Sequence, residues 1–324
     1  MALPQTYKVI KGDQNNQPLI QEILLPKPSQ NQVLVKMEFT PINPIDLLTF
    51  KNFYGDREAI GLEGSGVVVA IGDNLKISHK VGDKVHVVGR GTFAQYILAK
   101  SEDISPILQD DLSFEDAASH YINPSTVYYM GMVAEQGGHK AAIHTASSSA
   151  LGKMLIRYFK HKGIKLINIV RRDEVIEELK KEGADYVLNS TAPDFEERLK
   201  ELAEKENATI SFDAIGGDFT NKVLKAQPPK SSLYIYGFLE GNEIKNISIP
   251  ELFKGKSISA LYLVGYVEGL SVEEAQRIYK ETHKLLPTVL YSKIIKIFPL
   301  EQIKEALDYY LENGSKGKIL LKLN

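Results

Sequence analysis

The stretch KAAIHTASSSALGKMLIRYFKHKGIKLINIVRR, residues 140–172, decides how the chain is read. Residues 140–145 are a short apolar run of strand-compatible side chains, and residues 146–152 are mostly small. Met154, Leu155, Tyr158 and Phe159 then recur at helical spacing, and residues 165–170 form a second apolar strand. A strand that feeds a helix through small residues and returns to a parallel strand opens a dinucleotide-binding sheet. The turn is suited to anions, because the first N–H groups of a helix lack intrahelical partners and the dipole there favours phosphate. The glycine pattern is incomplete. In Ala146-Ser147-Ser148-Ser149-Ala150-Leu151-Gly152 only Gly152, at the point of close helix–strand packing, keeps its glycine. Alone, this turn also fits an α/β connection that binds no nucleotide.

Working outward, strands are expected at 185–188, 209–214, 233–236 and 257–264, with helices at 174–181 and 194–205 and another ending near Ala226. With the opening pair, this makes six strands alternating with helices, the pattern of a doubly wound α/β sheet. The N-terminal part reads differently. Short strands at 7–10, 19–24, 32–39, 64–71, 83–88 and 93–98, separated by turn residues, suggest a compact β-barrel. Between them, Pro41 and Pro44 predict a loop, followed by a short helical turn over 46–52. Ser113 is an expected N-cap, and Asn123-Pro124-Ser125-Thr126 opens another helix. After Ser271 a helix, a strand near 293–298, a helix over 300–311 and a strand over 317–323 are too little for a domain. They are expected to return to the barrel. The division is therefore residues 1–122 with 266–324, and residues 123–265.

Composition removes several classes. With 324 residues, two domains are the default. Lys plus Arg at 39 against Asp plus Glu at 41 argues against nucleic acid or an anionic membrane as partner. There is no cysteine, hence no disulfide, thiol nucleophile or Cys-ligated zinc. No apolar run approaches a membrane span, and the first residues lack the core of a secretory signal. A cytoplasmic protein is expected, or an organellar one if a transit segment has been removed.

The whole plan resembles the medium-chain dehydrogenase/reductase superfamily, whose fold is a GroES-like β-barrel catalytic domain plus a Rossmann nucleotide-binding domain. Gly61-Leu62-Glu63-Gly64-Ser65-Gly66-Val67 resembles its GHEGxGxV motif. Zinc-dependent members carry a histidine where this chain has Leu62, and a cysteine near Asn43-Pro44-Ile45-Asp46. The resemblance is therefore to the zinc-independent branch, the quinone oxidoreductases and enoyl thioester reductases, with no metal. Ile42-Asn43-Pro44-Ile45-Asp46 with Tyr54 is similar to the INPSD…Y pattern of the enoyl reductases, Ile45 excepted. Asn123 to Tyr128, the serine-containing loop and Ile169-Val170-Arg171-Arg172 also resemble that group. Members often carry a tryptophan after the segment equivalent to Phe253-Lys254; here there is none, and Tyr262 stands nearby.

An NAD-preferring site usually ends its second strand in Asp or Glu. Here Arg171 and Arg172 stand there and could pair a 2′-phosphate bidentately, so NADPH is the expected cofactor; Asp173 leaves NADH open. Ser147, Ser148, Ser149 and Ala150 would face the pyrophosphate, or simply cap the helix. Gly216, Gly237 and Phe238 follow strand ends, where ligands of such sheets lie. The resemblance adds Thr126 and the backbone around Leu261 and Leu263 as nicotinamide contacts, and Tyr54 as proton donor. It gives Asn43 as an orienting residue, although a turn role serves that position equally. It also implies a homodimer paired through the edge strand near 257–264. The expected reaction is reduction of the C=C of an α,β-unsaturated carbonyl, most readily a 2-enoyl thioester. The alternatives are quinone reduction and a non-catalytic NADPH-binding protein.

Overall fold

The computed structural model describes residues 3–51, 56–107, 112–241 and 243–324. Tyr54 lies outside the described residues. Contacts divide the chain into two compact units, Met1–Ile122 with Ser292–Asn324, and Asn123–Tyr291.

The first unit opens on an antiparallel pair, β1 (Thr6–Gly12) and β2 (Pro18–Leu24). β3 (Gln32–Pro41) follows and is its organising strand, with Val33, Val35 and Met37 fully buried. Next come helix α1 (Pro44–Phe50), β4 (Glu63–Ile71), β5 (Lys84–Val88), β6 (Tyr96–Lys100), β7 (Ile104–Pro106) and the short α2 (Phe114–Ala117). The expected proline loop does not form. β3 runs through Pro41, and Pro44 is the first residue of α1, where its missing N–H costs nothing and its fixed φ suits the helix. Ser113 does cap α2, accepting the Asp116 N–H at 3.0 Å.

The second unit begins with α3 (Ile122–Gln136) and then β8 (Ala141–His144), α4 (Ala150–Lys162), β9 (Lys165–Val170), α5 (Ile176–Glu182), β10 (Tyr186–Asn189), α6 (Phe195–Lys205), β11 (Ile210–Asp213), α7 (Gly217–Ala226) and β12 (Ser232–Ile235). α8 (Ile249–Phe253), β13 (Ser257–Ala260), α9 (Leu263–Glu268) and α10 (Val272–Leu285) complete it. The six strands form one parallel sheet in the order β10-β9-β8-β11-β12-β13. All residues of β8 are buried, as befits a strand covered on both faces. α4 buries Met154, Leu155, Tyr158 and Phe159, each worth about 1.5–3 kcal/mol against exposure. The expected strand over 257–264 is shorter. Only Ser257–Ala260 pairs with β12, and Leu263 already starts α9.

The chain then returns through β14 (Ile294–Pro299), α11 (Ile303–Asn313) and β15 (Lys318–Lys322). β15 pairs antiparallel with β3, which also carries β4 and β6. The second seam falls at Tyr291/Ser292 and not at 265/266. The reason is packing: Leu286 and Leu290, after α10, are buried among Val127, Met130 and Tyr158. Arg157 fastens that exit, donating to the Val289 carbonyl at 2.8 Å with its guanidinium 3.8 Å from the Tyr291 ring centroid.

Candidate functional site

In the sheet unit the candidate residues gather at the carboxyl ends of the strands. Strand order reverses between β8 and β11, and such a switch point is where ligands of α/β sheets bind. The loop from β8 to α4 is tight. Ala146 takes a left-handed φ of 54° without being glycine, and the Ser149 N–H returns to its carbonyl at 3.0 Å. A Cβ on Gly152 would lie 2.4 Å from the Ser147 carbonyl oxygen, so only glycine lets the helix approach the loop this closely.

The serines divide the work unevenly. Ser147 is fully buried: its N–H bonds the Ile169 carbonyl at 3.1 Å, and its hydroxyl donates to the His144 carbonyl at 2.9 Å while accepting the Ile169 N–H at 3.2 Å. Ser147 thus joins β8 to β9, and its polar groups are spent on the framework, not on a ligand as expected. Ser149 caps α4 by accepting the Gly152 N–H at 3.0 Å. Ser148 lies at the loop tip, and Ala150 and Leu151 are in the first turn of α4, where N–H groups lack intrahelical acceptors.

The sequence places His144 on the strand entering this loop and reads it as structural; it did not single out Tyr236 or Asp213 as supports. His144 is fully buried, and burial holds its pKa down at about 3, so the ring is neutral. Its Nδ1 is 3.1 Å from Ser147 Oγ, whose one proton goes to the His144 carbonyl; Nδ1 is therefore the donor. Nε2 then accepts from the Tyr236 hydroxyl at 2.7 Å. This chain of bonds links the phosphate loop to the segment after β12. Asp213, fully buried at the end of β11, does the same for the next loop. It accepts from Thr145 Oγ1 at 2.7 Å, Thr220 Oγ1 at 2.6 Å and the Ile215 N–H at 2.9 Å. Gly216 follows with φ 72° and ψ −161°, and a Cβ there would sit 2.5 Å from the Gly241 carbonyl oxygen. Gly237 passes close to Ala214, where a Cβ would meet the carbonyl oxygen at 3.0 Å. Phe238 follows at the same rim, half-buried.

Arg171 and Arg172 are exposed beyond β9, and Arg171 stands 3.7 Å from Glu240. Thr126 is buried on α3. Leu261 is also buried, and its N–H is committed to the Ile235 carbonyl at 2.8 Å, so that donor cannot serve a nicotinamide amide. Leu263 occupies the first turn of α9, where the N–H groups have no intrahelical acceptor.

In the other unit, Asn43 caps α1 beneath a buried cluster of charges. Lys318 donates to Asn43 Oδ1, and Asn43 Nδ2 donates to Glu63 Oε1 at 3.3 Å. An ammonium only donates and a carboxylate only accepts, so these partners set the amide's orientation. Glu63 Oε2 accepts the N–H groups of Tyr121 and Ile122 at 3.2 and 3.1 Å and lies 3.6 Å from His86 Nε2. Burial would raise Glu63, but His86, Lys318 and the Ile122 N–H outweigh it and hold its pKa below the usual range. Asp46, bonded to the Asn43 N–H at 2.7 Å, goes the other way: burial raises it to about 7, against the pull of the Asn43 N–H and Lys318. Burial also lowers Lys318, against Glu63 and Asp46. The GLEG motif contained Glu63; nothing in the sequence pointed to Lys318, which lies 275 residues from Asn43. Among the described residues no three His, Asp or Glu side chains gather as a metal site, and no helix is long and apolar enough to cross a membrane.

Comparison with known proteins agrees with the fold. The alcohol dehydrogenase GroES-like domain family matches residues 29–109, and the zinc-binding dehydrogenase family matches residues 150–280. The mitochondrial enoyl-[acyl-carrier-protein] reductase of Caenorhabditis elegans is 30% identical over 312 residues, covering 91% of this chain and 88% of that protein. Quinone oxidoreductase 1 of Escherichia coli (strain K12) is 25% identical, covering 91% of this chain and 92% of its own. A crystal structure from Mesorhizobium loti, provisionally named an NADPH:quinone reductase, superposes with a TM-score of 0.90 at 29% identity, covering 99% of this chain and 100% of that one.

Proposed function

Because the chain belongs to the medium-chain dehydrogenase/reductase superfamily, with a GroES-like unit and an NAD(P)-binding Rossmann unit, we propose that it is a zinc-independent, NADPH-dependent reductase of 2-enoyl thioesters. The observation that carries the cofactor reading is the switch-point loop: Gly152 packed against Ser147, with the first N–H groups of a 13-residue helix facing the crevice. The Ala150 and Leu151 N–H groups and Ser148 would hold the pyrophosphate. Arg171 and Arg172 would hold the 2′-phosphate, which favours NADPH over NADH.

When bound, NADPH supplies the hydride for the β carbon of the substrate and is oxidised. The chain's own part is position and proton. Tyr54 is assigned by resemblance as the donor that protonates the α carbon, a role open to a placed phenol. Asn43 is held by Lys318 and Glu63 in one amide orientation, so any group meeting its remaining N–H finds a preset donor. Leu62 stands where zinc-dependent members carry a histidine ligand, and no cysteine lies near Asn43-Pro44-Ile45-Asp46, which supports chemistry without zinc.

The enoyl reading rests on the 30% identical relative and on the Asn43-Pro44…Tyr54 pattern. Quinone reduction is the second reading, favoured by the names of the Escherichia coli and Mesorhizobium loti proteins. One panel separates them: NADPH oxidation with short trans-2-enoyl-CoAs, enones and quinones. The enoyl-CoAs are expected to turn over, and Tyr54→Phe to lower that rate by roughly 10²–10⁴-fold. Turnover of quinones alone would replace the first reading with the second. Tight NADPH binding without turnover of any electrophile would leave a binding protein.

A further inference from the structure

We propose that Arg171 and Glu240 form a strap across the dinucleotide crevice, so that Glu240 sets cofactor affinity by competing with the ligand for Arg171. This rests on the cofactor reading above. Arg171 follows β9 and Glu240 follows β12, while β8 and β11, the strands that flank the switch point, lie between them. Three strand spacings, about 14 Å, separate those two exits. The side chains nevertheless stand 3.7 Å apart.

The backbone explains how they meet. The segment after β12 folds back over the end of β11: Leu239 N–H bonds the Ala214 carbonyl at 3.0 Å and Glu240 N–H the Ile215 carbonyl at 2.9 Å. Gly216 and Gly241 pair as an isolated bridge. Glu240 is thereby carried inward toward the phosphate loop, and Arg171 reaches it from the opposite side. Any dinucleotide laid along the switch point must pass where this pair now closes.

The strap suits a site that opens often. The Arg171 and Glu240 side chains are 73% and 48% exposed, so water screens the pair, and such pairs favour the closed form only about 1.5- to 5-fold. A 2′-phosphate carries more charge than one carboxylate and matches the guanidinium fork. A ligand bearing that phosphate replaces Glu240 as Arg171's partner. NADH opens the same strap and offers Arg171 nothing in return.

The test is a double-mutant cycle read by equilibrium binding of NADPH and of NADH, followed by nucleotide fluorescence at low and high salt. Glu240→Gln keeps the loop's backbone bonds and is expected to tighten both dinucleotides by about 1.5- to 5-fold, less at high salt. Arg171→Gln is expected to weaken NADPH, which loses its 2′-phosphate partner, and to tighten NADH slightly, because the strap is gone. In the Arg171→Gln background, Glu240→Gln should then change nothing. The proposal is overturned if Glu240→Gln leaves both constants unchanged, or if its effect survives without Arg171, as simple repulsion of the ligand would. Failure of the unaltered chain to bind either dinucleotide would remove the cofactor reading itself, and the strap's role with it.

Discussion

Asp46 and Lys318 carry a cost that sequence composition hides. A carboxyl and an ammonium are both fully out of water, and each is pushed toward its neutral form. For Asp46 the linkage has a definite sign. Its folded pKa of about 7 lies above the ordinary value of 3.8, so the folded chain binds the extra proton between those values. Its contribution to stability therefore falls as pH rises through that window and is level above it. Asp46→Asn keeps an acceptor for the Asn43 N–H and removes the titration. Urea unfolding at pH 4.5 to 7.5 should show the variant gaining on the unaltered chain by a few kcal/mol as pH rises. A constant difference would refute the assignment. Comparing the two chains cancels the opposite contribution of His144, which is buried neutral and gains stability as pH rises toward its unfolded value.

At the scale of elements, the strand–loop–helix of residues 140–172 was legible because two periods, short apolar runs and one helical stripe, meet at a run of small residues. What the loop's serines do was not legible. A serine can cap, bridge strands or bind an anion, and only neighbours decide; Ile169 claims Ser147 and Gly152 claims Ser149. The same holds for the segment 257–264, where apolar residues suit a strand and yet the chain leaves the sheet after Ala260. The His144–Tyr236 bond is an element-scale tie between two loops of the crevice. Tyr236→Phe would leave a buried imidazole acceptor unpaired and should cost about 1–3 kcal/mol, measured by chemical denaturation. A loss confined to a few tenths would mean that another donor reaches Nε2.

At the scale of the whole molecule, β13 ends the sheet, with one side unpaired among the described residues. Around it Ile249, Leu252, Phe253 and Val264 are exposed, Phe253 by 88%. Edge strands beside apolar surface invite pairing, and we expect two copies to join there. Light scattering should give twice the 36.2 kDa chain mass, and Phe253→Asp should shift it toward one copy. A single-chain mass for the unaltered protein would refute the pairing.

By itself the sequence determined the two-part plan, the doubly wound sheet, the absence of thiol ligands and the position of the crevice, because these follow from periodicity, turn residues and composition, all local in the chain. The tertiary structure alone decided which polar groups remain for a ligand. Lys318 reaches Asn43 across 275 residues, Ser147 is consumed by the sheet, and Glu240 meets Arg171 over the switch point. Hydrogen bonds and charges act over a few ångströms in space, and no spacing along the chain reports which distant groups the fold will bring that close.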